Sequence, residues 1–158
     1  MSKIVMRLKY IKRIIEKKIR NYKYNQAVKK LPVKCPELNK ILREEEVVVS
    51  LTSYGKRLES VYMTILSMFN QTYKPDKIVL YLDADVPEKD LPETLINLKK
   101  NGLDIRIKKE NIRCHKKYFY AMQEFPSALI VTVDDDLIYP PELIENLIKT
   151  HSQYPKAI

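Results

Sequence analysis

The chain is 158 residues long and 45% hydrophobic, with a formal net charge of +9, which gives room for one packed α/β core with an appendage and excludes two full-sized domains. Two glycines, nine prolines and no tryptophan exclude collagen-like, linker-array and low-complexity chains. The charge is lopsided: residues 1–34 hold twelve Lys or Arg against Glu16 alone, so the remainder is slightly acidic and nucleic acid is not expected as its partner.

In chain order, Ile4, Leu8, Ile11, Ile15, Ile19 and Tyr22 recur at three- and four-residue intervals among Lys and Arg, the pattern of a basic amphipathic helix. Such a helix fits an anionic membrane surface, and equally a helix docked on the domain with a solvated basic side. No apolar stretch approaches the ~20 residues of a membrane span, and the N-terminus lacks the compact apolar region of a signal peptide. Cys35 and Cys114 stand apart, without zinc-like spacing, as expected of reduced thiols. A cytoplasmic protein, peripheral on the inner membrane face in the first of these readings, is the expectation. Leu31 to Pro36, with two prolines, cannot continue a helix, so residues 1–34 read as a helical extension, 35–46 as a linker and 47–158 as the domain.

From Val47 the pattern alternates. A β-branched run, Val47 to Leu51, precedes a helical stretch with apolar positions Val61, Ile65, Met68 and Phe69. Lys77 to Leu82 is a second strand, followed by a helix that Pro92 opens, Gly102 closes and Leu95 and Leu98 face inward. A third strand over Leu103 to Lys108 leads to a helix over Lys116 to Glu124, ending before Pro126. Ala128 to Val133 is the most apolar strand, and the last helix starts at Pro140-Pro141 with Leu143, Ile144, Leu147 and Ile148 on its buried side. Strands alternating with helices imply right-handed crossovers and a mainly parallel sheet buried on both faces. Ligands of such sheets collect at the carboxyl ends of the strands. Here those ends are Thr52-Ser53-Tyr54, Asp83-Ala84-Asp85, the loop entering at Arg113, and Asp134-Asp135-Asp136.

Three consecutive carboxylates after a buried strand repel one another and gain from a counter-cation. In extended backbone Asp134 and Asp136 point the same way and suit a hard divalent ion, Mn2+ or Mg2+, shared with phosphates. A solvated turn in which one Asp caps the next helix fits the same spacing. Glu142 and Glu145 read as structural first-turn acids, and His115 as a surface residue.

Val47 to Tyr54, Asn70-Gln71-Thr72-Tyr73, Leu82-Asp83 and the block Ile130 to Pro140 together resemble family 2 glycosyltransferases. The resemblance implies an α/β, GT-A (Rossmann-like) fold: a mainly parallel sheet flanked by helices, here preceded by the basic N-terminal helix. It also implies a nucleotide-sugar donor, a UDP-sugar in many members, and a glycan or lipid-linked acceptor with a reacting hydroxyl. On this basis Thr52, Ser53 and Tyr54 line the nucleoside pocket, with Arg57 near the phosphates. Asp83 matches the carboxylate that accepts from the base; because many relatives have two adjacent acids there, Asp85 is the alternative. Lys116 or Lys117 matches the basic residue facing the nucleotide. Asp134 to Asp136 match the DxD motif, with Asp136 on the metal and Asp134 or Asp135 on the ribose or sugar. Inverting members also use a carboxylate general base that normally lies beyond the portion of the fold present here, so no catalytic base is identified. The chain is expected to stop after the donor site. A non-catalytic nucleotide-binding module and a basic membrane-surface protein are the rival readings. A phosphatase using DxD would need the motif after the first strand, where Ser50-Leu51-Thr52-Ser53 stands instead.

Overall fold

The computed structural model describes residues 37–154, together with the helical positions Lys12 and Ile15. The chain divides into two units, Met1–Leu31 and Pro32–Ile158; apart from those two positions, the basic extension and Cys35 lie outside the described residues. Residues 37–46, expected as a linker, have no regular structure but are tied to the body at Asp76. Its carboxylate accepts from Asn39 Nδ2 at 2.5 Å, Arg43 Nη1 at 3.2 Å and the Val47 amide at 2.8 Å.

Four strands alternate with helices: β1 (Val47–Thr52), α1 (Val61–Phe69), β2 (Lys77–Asp83), α2 (Glu93–Lys100), β3 (Leu103–Lys108), α3 (Lys116–Glu124), β4 (Leu129–Thr132) and α4 (Leu143–Gln153). All pairings are parallel and the sheet order is β3-β2-β1-β4. This is an α/β fold with a parallel sheet, as the alternation predicted, and it agrees with the GT-A, Rossmann-like architecture that the resemblance implies. The order reverses between β1 and β4: β2 and β3 extend the sheet on one side of β1, and the chain then returns to the other. Such a reversal opens a crevice at the carboxyl ends of the two strands.

Side chains alternate across each strand, so β1 feeds two cores. Val47, Val49 and Leu51 join Ile65, Met68, Phe69, Leu95, Leu98 and Ile144 on one face, while Val48 joins Val79, Tyr81 and Ala121 on the other. Helix α3 covers that second face, packing on β1, β2 and β4. Among the described residues no helix is long and apolar enough to cross a membrane.

Three expectations need correction. The sheet is not buried on both faces throughout: β1 and β2 are, but Ile107 of β3 is 44% exposed and Thr132 of β4 is exposed. The most apolar run of the sequence thus forms an edge strand, which lacks a covering neighbour on one side. The last helix starts at Leu143, not at Pro140-Pro141, because a residue preceding proline is disfavoured in the α region. The Pro140 and Pro141 carbonyls instead accept from Gln71 Nε2 and the Thr72 amide, both at 2.8 Å. On that helix Ile144 is fully buried and Leu143 and Ile148 pack partly, whereas Leu147 is 45% exposed; α4 buries a narrower line than the expected four-residue stripe.

Candidate functional site

A cleft of about 640 Å³ opens at the carboxyl ends of the strands. Its floor is set by how β1 and β2 end. Thr52 spends its hydroxyl on the sheet, donating to the Tyr81 carbonyl at 2.8 Å. Ser53 turns inward and is buried behind the cleft, while Tyr54 is 62% exposed at its wall. A short 3-10 turn, Gly55–Glu59, then carries Arg57 over the Tyr54 ring, 5.4 Å from its centroid. Gly55 enters that turn at φ +53, a left-handed conformation that favours glycine.

The acidic run departs from the expected geometry. Strand β4 stops at Thr132 and residues 135–136 form a turn, so continuous extended alternation does not bring Asp134 and Asp136 together. The side chains of Asp134 and Asp136 are 60% and 59% exposed, whereas that of Asp135 is 6% exposed. Asp135 crosses the β1/β4 crevice: its Oδ2 accepts from Ser53 Oγ at 2.7 Å and its Oδ1 from Arg57 Nη1 at 2.8 Å. Attraction by Asp135, and then its hydrogen bond, hold the Arg57 pKa above the usual value. Asp136 sits at the margin of this pair, 3.9 Å from Arg57 Nη2. Asp134 lines the cleft, and its backbone amide donates to the Tyr139 hydroxyl at 2.9 Å.

The start of α3 supplies the opposing cations. Ser50 Oγ donates to the Lys117 carbonyl, which pins the first turn of α3 to β1. Lys116 is buried and donates from Nζ to Asp83 Oδ1 at 2.5 Å and to Asn111 Oδ1 at 3.3 Å. Lys117 donates from Nζ to Asp134 Oδ1 at 2.6 Å. The two lysines, interchangeable in the sequence, therefore have different settings. Asp83 ends β2 buried, whereas Asp85 is exposed at the cleft.

The structure thus brings Thr52, Tyr54, Arg57, Asp83, Asp85, Lys116, Lys117, Asp134 and Asp135 to one cleft, with Ser53 directly behind it and Asp136 off its wall. Sequence reasoning did not assign Asn111, Arg113 or Cys114, which also line it. Arg113 has φ +54, the left-handed region, and is the non-glycine residue there among the described residues. Its loop was picked out by the rule for strand ends, but nothing in the residue types signalled that turn. His115 is exposed, with Nδ1 2.8 Å from the Tyr118 hydroxyl, in keeping with a surface role. Among the described residues no three His, Cys, Asp or Glu side chains group closely enough to hold a metal ion by themselves.

The family model for glycosyl transferase family 2 matches residues 48–158, which takes in all four strands apart from Val47, the helices α1 to α4 and every cleft residue described above. The chain belongs to glycosyl transferase family 2. Comparison with curated proteins finds no significant match. As a family 2 domain it is a glycosyltransferase domain, and membership implies a sugar donor and an acceptor.

Proposed function

We propose that the cleft binds a nucleoside-diphosphate sugar, with a UDP-sugar favoured, and that the domain serves transfer of the sugar to a hydroxyl of a glycan or lipid-linked acceptor. The observation that carries this reading is the meeting of cations and the acidic run at the β1/β4 crevice. Arg57, Arg113, Lys116 and Lys117 line it beside Asp83, Asp85, Asp134 and Asp135, so the lining charges balance. A diphosphate adds negative charge that such a lining does not neutralise, and a divalent cation restores the balance. The donor set suits one: Asp134 and Asp136 offer exposed carboxylates, and Mg2+ or Mn2+ is commonly held by one or two carboxylates with substrate phosphates completing the shell. When bound, the ion supplies Lewis-acid stabilisation of the charge that grows on the leaving diphosphate. The chain's own contribution is positive charge at the cleft from Arg57, Arg113 and Lys117, available to the phosphates. Asp85 is exposed at the cleft, with the buried Asp83 two residues away, and can accept a base N–H such as the N3–H of uracil.

Calorimetric titration with UDP, GDP and dTDP, with and without Mn2+, tests the reading. Metal-dependent binding that Asp136→Ala abolishes is the expected result; no binding of any of the three would sink it.

A further inference from the structure

The three cleft carboxylate–cation pairs differ in how firmly they are held. Asp135 gives one oxygen to Ser53 and the other to Arg57 and is almost entirely buried. Asp83 and Lys116 have side chains 12% and 3% exposed, and Asn111 adds a second acceptor for the lysine. Lys117 and Asp134 are 20% and 60% exposed and share a single hydrogen bond, 2.6 Å from Nζ to Oδ1. Their backbones, by contrast, are fixed, that of Lys117 by Ser50 and that of Asp134 by Tyr139. Both side chains line the cleft and can part without moving the chain that carries them.

We propose that Lys117 and Asp134 form an exchangeable pair that couples metal to donor: Lys117 passes from Asp134 to the diphosphate as Asp134 passes to the divalent cation. This rests on the donor-site reading above and assigns Lys117 as a positioning residue for Asp134. An ammonium hydrogen-bonded to a carboxylate is a poor phosphate ligand, and that carboxylate is a poor metal ligand. Metal alone, or diphosphate alone, competes with the pair for one member and leaves the other with its charge less well matched. Together they break it once and satisfy both members. Each ligand therefore tightens the other, and by linkage the two factors are equal. A partly exposed pair of this kind limits the coupling to about fivefold. Lys116, locked on Asp83, takes no part.

The test measures Mn2+ alone, nucleoside diphosphate alone, and each in the presence of the other, on the full chain, using whichever of UDP, GDP and dTDP binds best. Wild type should bind each partner weakly alone and more tightly together. Lys117→Met frees Asp134, so it should bind Mn2+ alone about fivefold more tightly and lose most of the coupling. Asp134→Asn frees Lys117 and should bind metal-free diphosphate about fivefold more tightly, a gain that a merely structural role would not produce. Lys56→Met removes a cation on the neighbouring 3-10 turn that is outside the cleft lining and should leave Mn2+ binding as in wild type, which separates release of the pair from a general change in charge. The exchange is overturned if Lys117→Met binds Mn2+ no more tightly than wild type, if Lys56→Met reproduces the gain, or if Asp134→Asn weakens metal-free diphosphate binding. In those cases intact Mn2+-dependent nucleotide binding by wild type leaves the donor-site reading standing. Absence of such binding removes both.

Discussion

Neighbouring lysines at the start of α3 show what a single position decides. The backbone of α3 turns Lys116 into the body, where its ammonium meets Asp83, and turns Lys117 toward the cleft, where it meets Asp134. Removing one member of a buried pair leaves the other charged and desolvated, whereas an exposed pair contributes little. Lys116→Met should therefore lower unfolding free energy by about 3–5 kcal/mol, and Lys117→Met by less than about 1 kcal/mol. Urea unfolding of the two variants checks this; equal losses would mean that the two settings are energetically the same. The sequence pointed to "Lys116 or Lys117" and could go no further, because which of two adjacent helical residues faces a strand depends on where the helix is pinned. That pin is the Ser50 hydroxyl on the Lys117 carbonyl, a contact spanning 67 residues that no local pattern carries.

Elements were legible where their ends are chemically marked. Strand β3 and helix α3 have the expected boundaries, since Gly102 and Pro126 punctuate them. Gly102 has φ +104, and a Cβ there would lie 3.1 Å from Leu38 Cδ1. The methyl can yield, but the backbone angle cannot be relieved in an L residue, so Gly102→Ala should destabilise by about 1–2 kcal/mol, read as a lower urea midpoint. Boundaries slipped where tertiary contacts take over. Gln71 is fully buried, donating to the Ser67 and Pro140 carbonyls and accepting from the Ile144 amide. It thereby fixes the Pro140-Pro141 segment as a non-helical strap and delays α4. In the acidic run, Asp135 went inward because Ser53 and Arg57 await it, whereas the sequence showed only three equivalent carboxylates.

Across the molecule, the sheet face under α3 carries a second charged cluster, remote in role from the cleft. Tyr81 Oη and Arg106 Nη1 each donate to Glu124 Oε2 at 2.6 Å, and Lys108 donates to Glu124 Oε1. Burial alone would push the Glu124 carboxyl up, but the bonds from Lys108, Tyr81 and Arg106 outweigh it and hold its pKa below the usual 4.5. Burial, and then the bond to Glu124, raise the Tyr81 hydroxyl well above its ordinary 10.0. The signs follow by linkage. The contribution of Glu124 is present above its ordinary value and lost as pH falls through the depressed one. That of Tyr81 is complete below pH 10.0 and declines as pH rises past it, because only the unfolded chain releases the proton there. The urea midpoint should thus fall at both extremes; Tyr81→Phe should remove the alkaline limb and, by taking away one of the bonds that hold the Glu124 pKa down, weaken the acid limb in part.

The strand order β3-β2-β1-β4 also governs time. Ser53 and Asp135 are 82 residues apart, with β2, α2, β3 and α3 between them in sequence, so closing the crevice requires a long-range pairing. Distant pairings of this kind are the slow steps of folding. Until β4 arrives, the apolar edge of Val47–Thr52 is open to pairing with another chain. The strand that leads into the cleft is therefore a pairing hazard in the nascent chain, and the pairing that covers its edge is the one that completes the cleft.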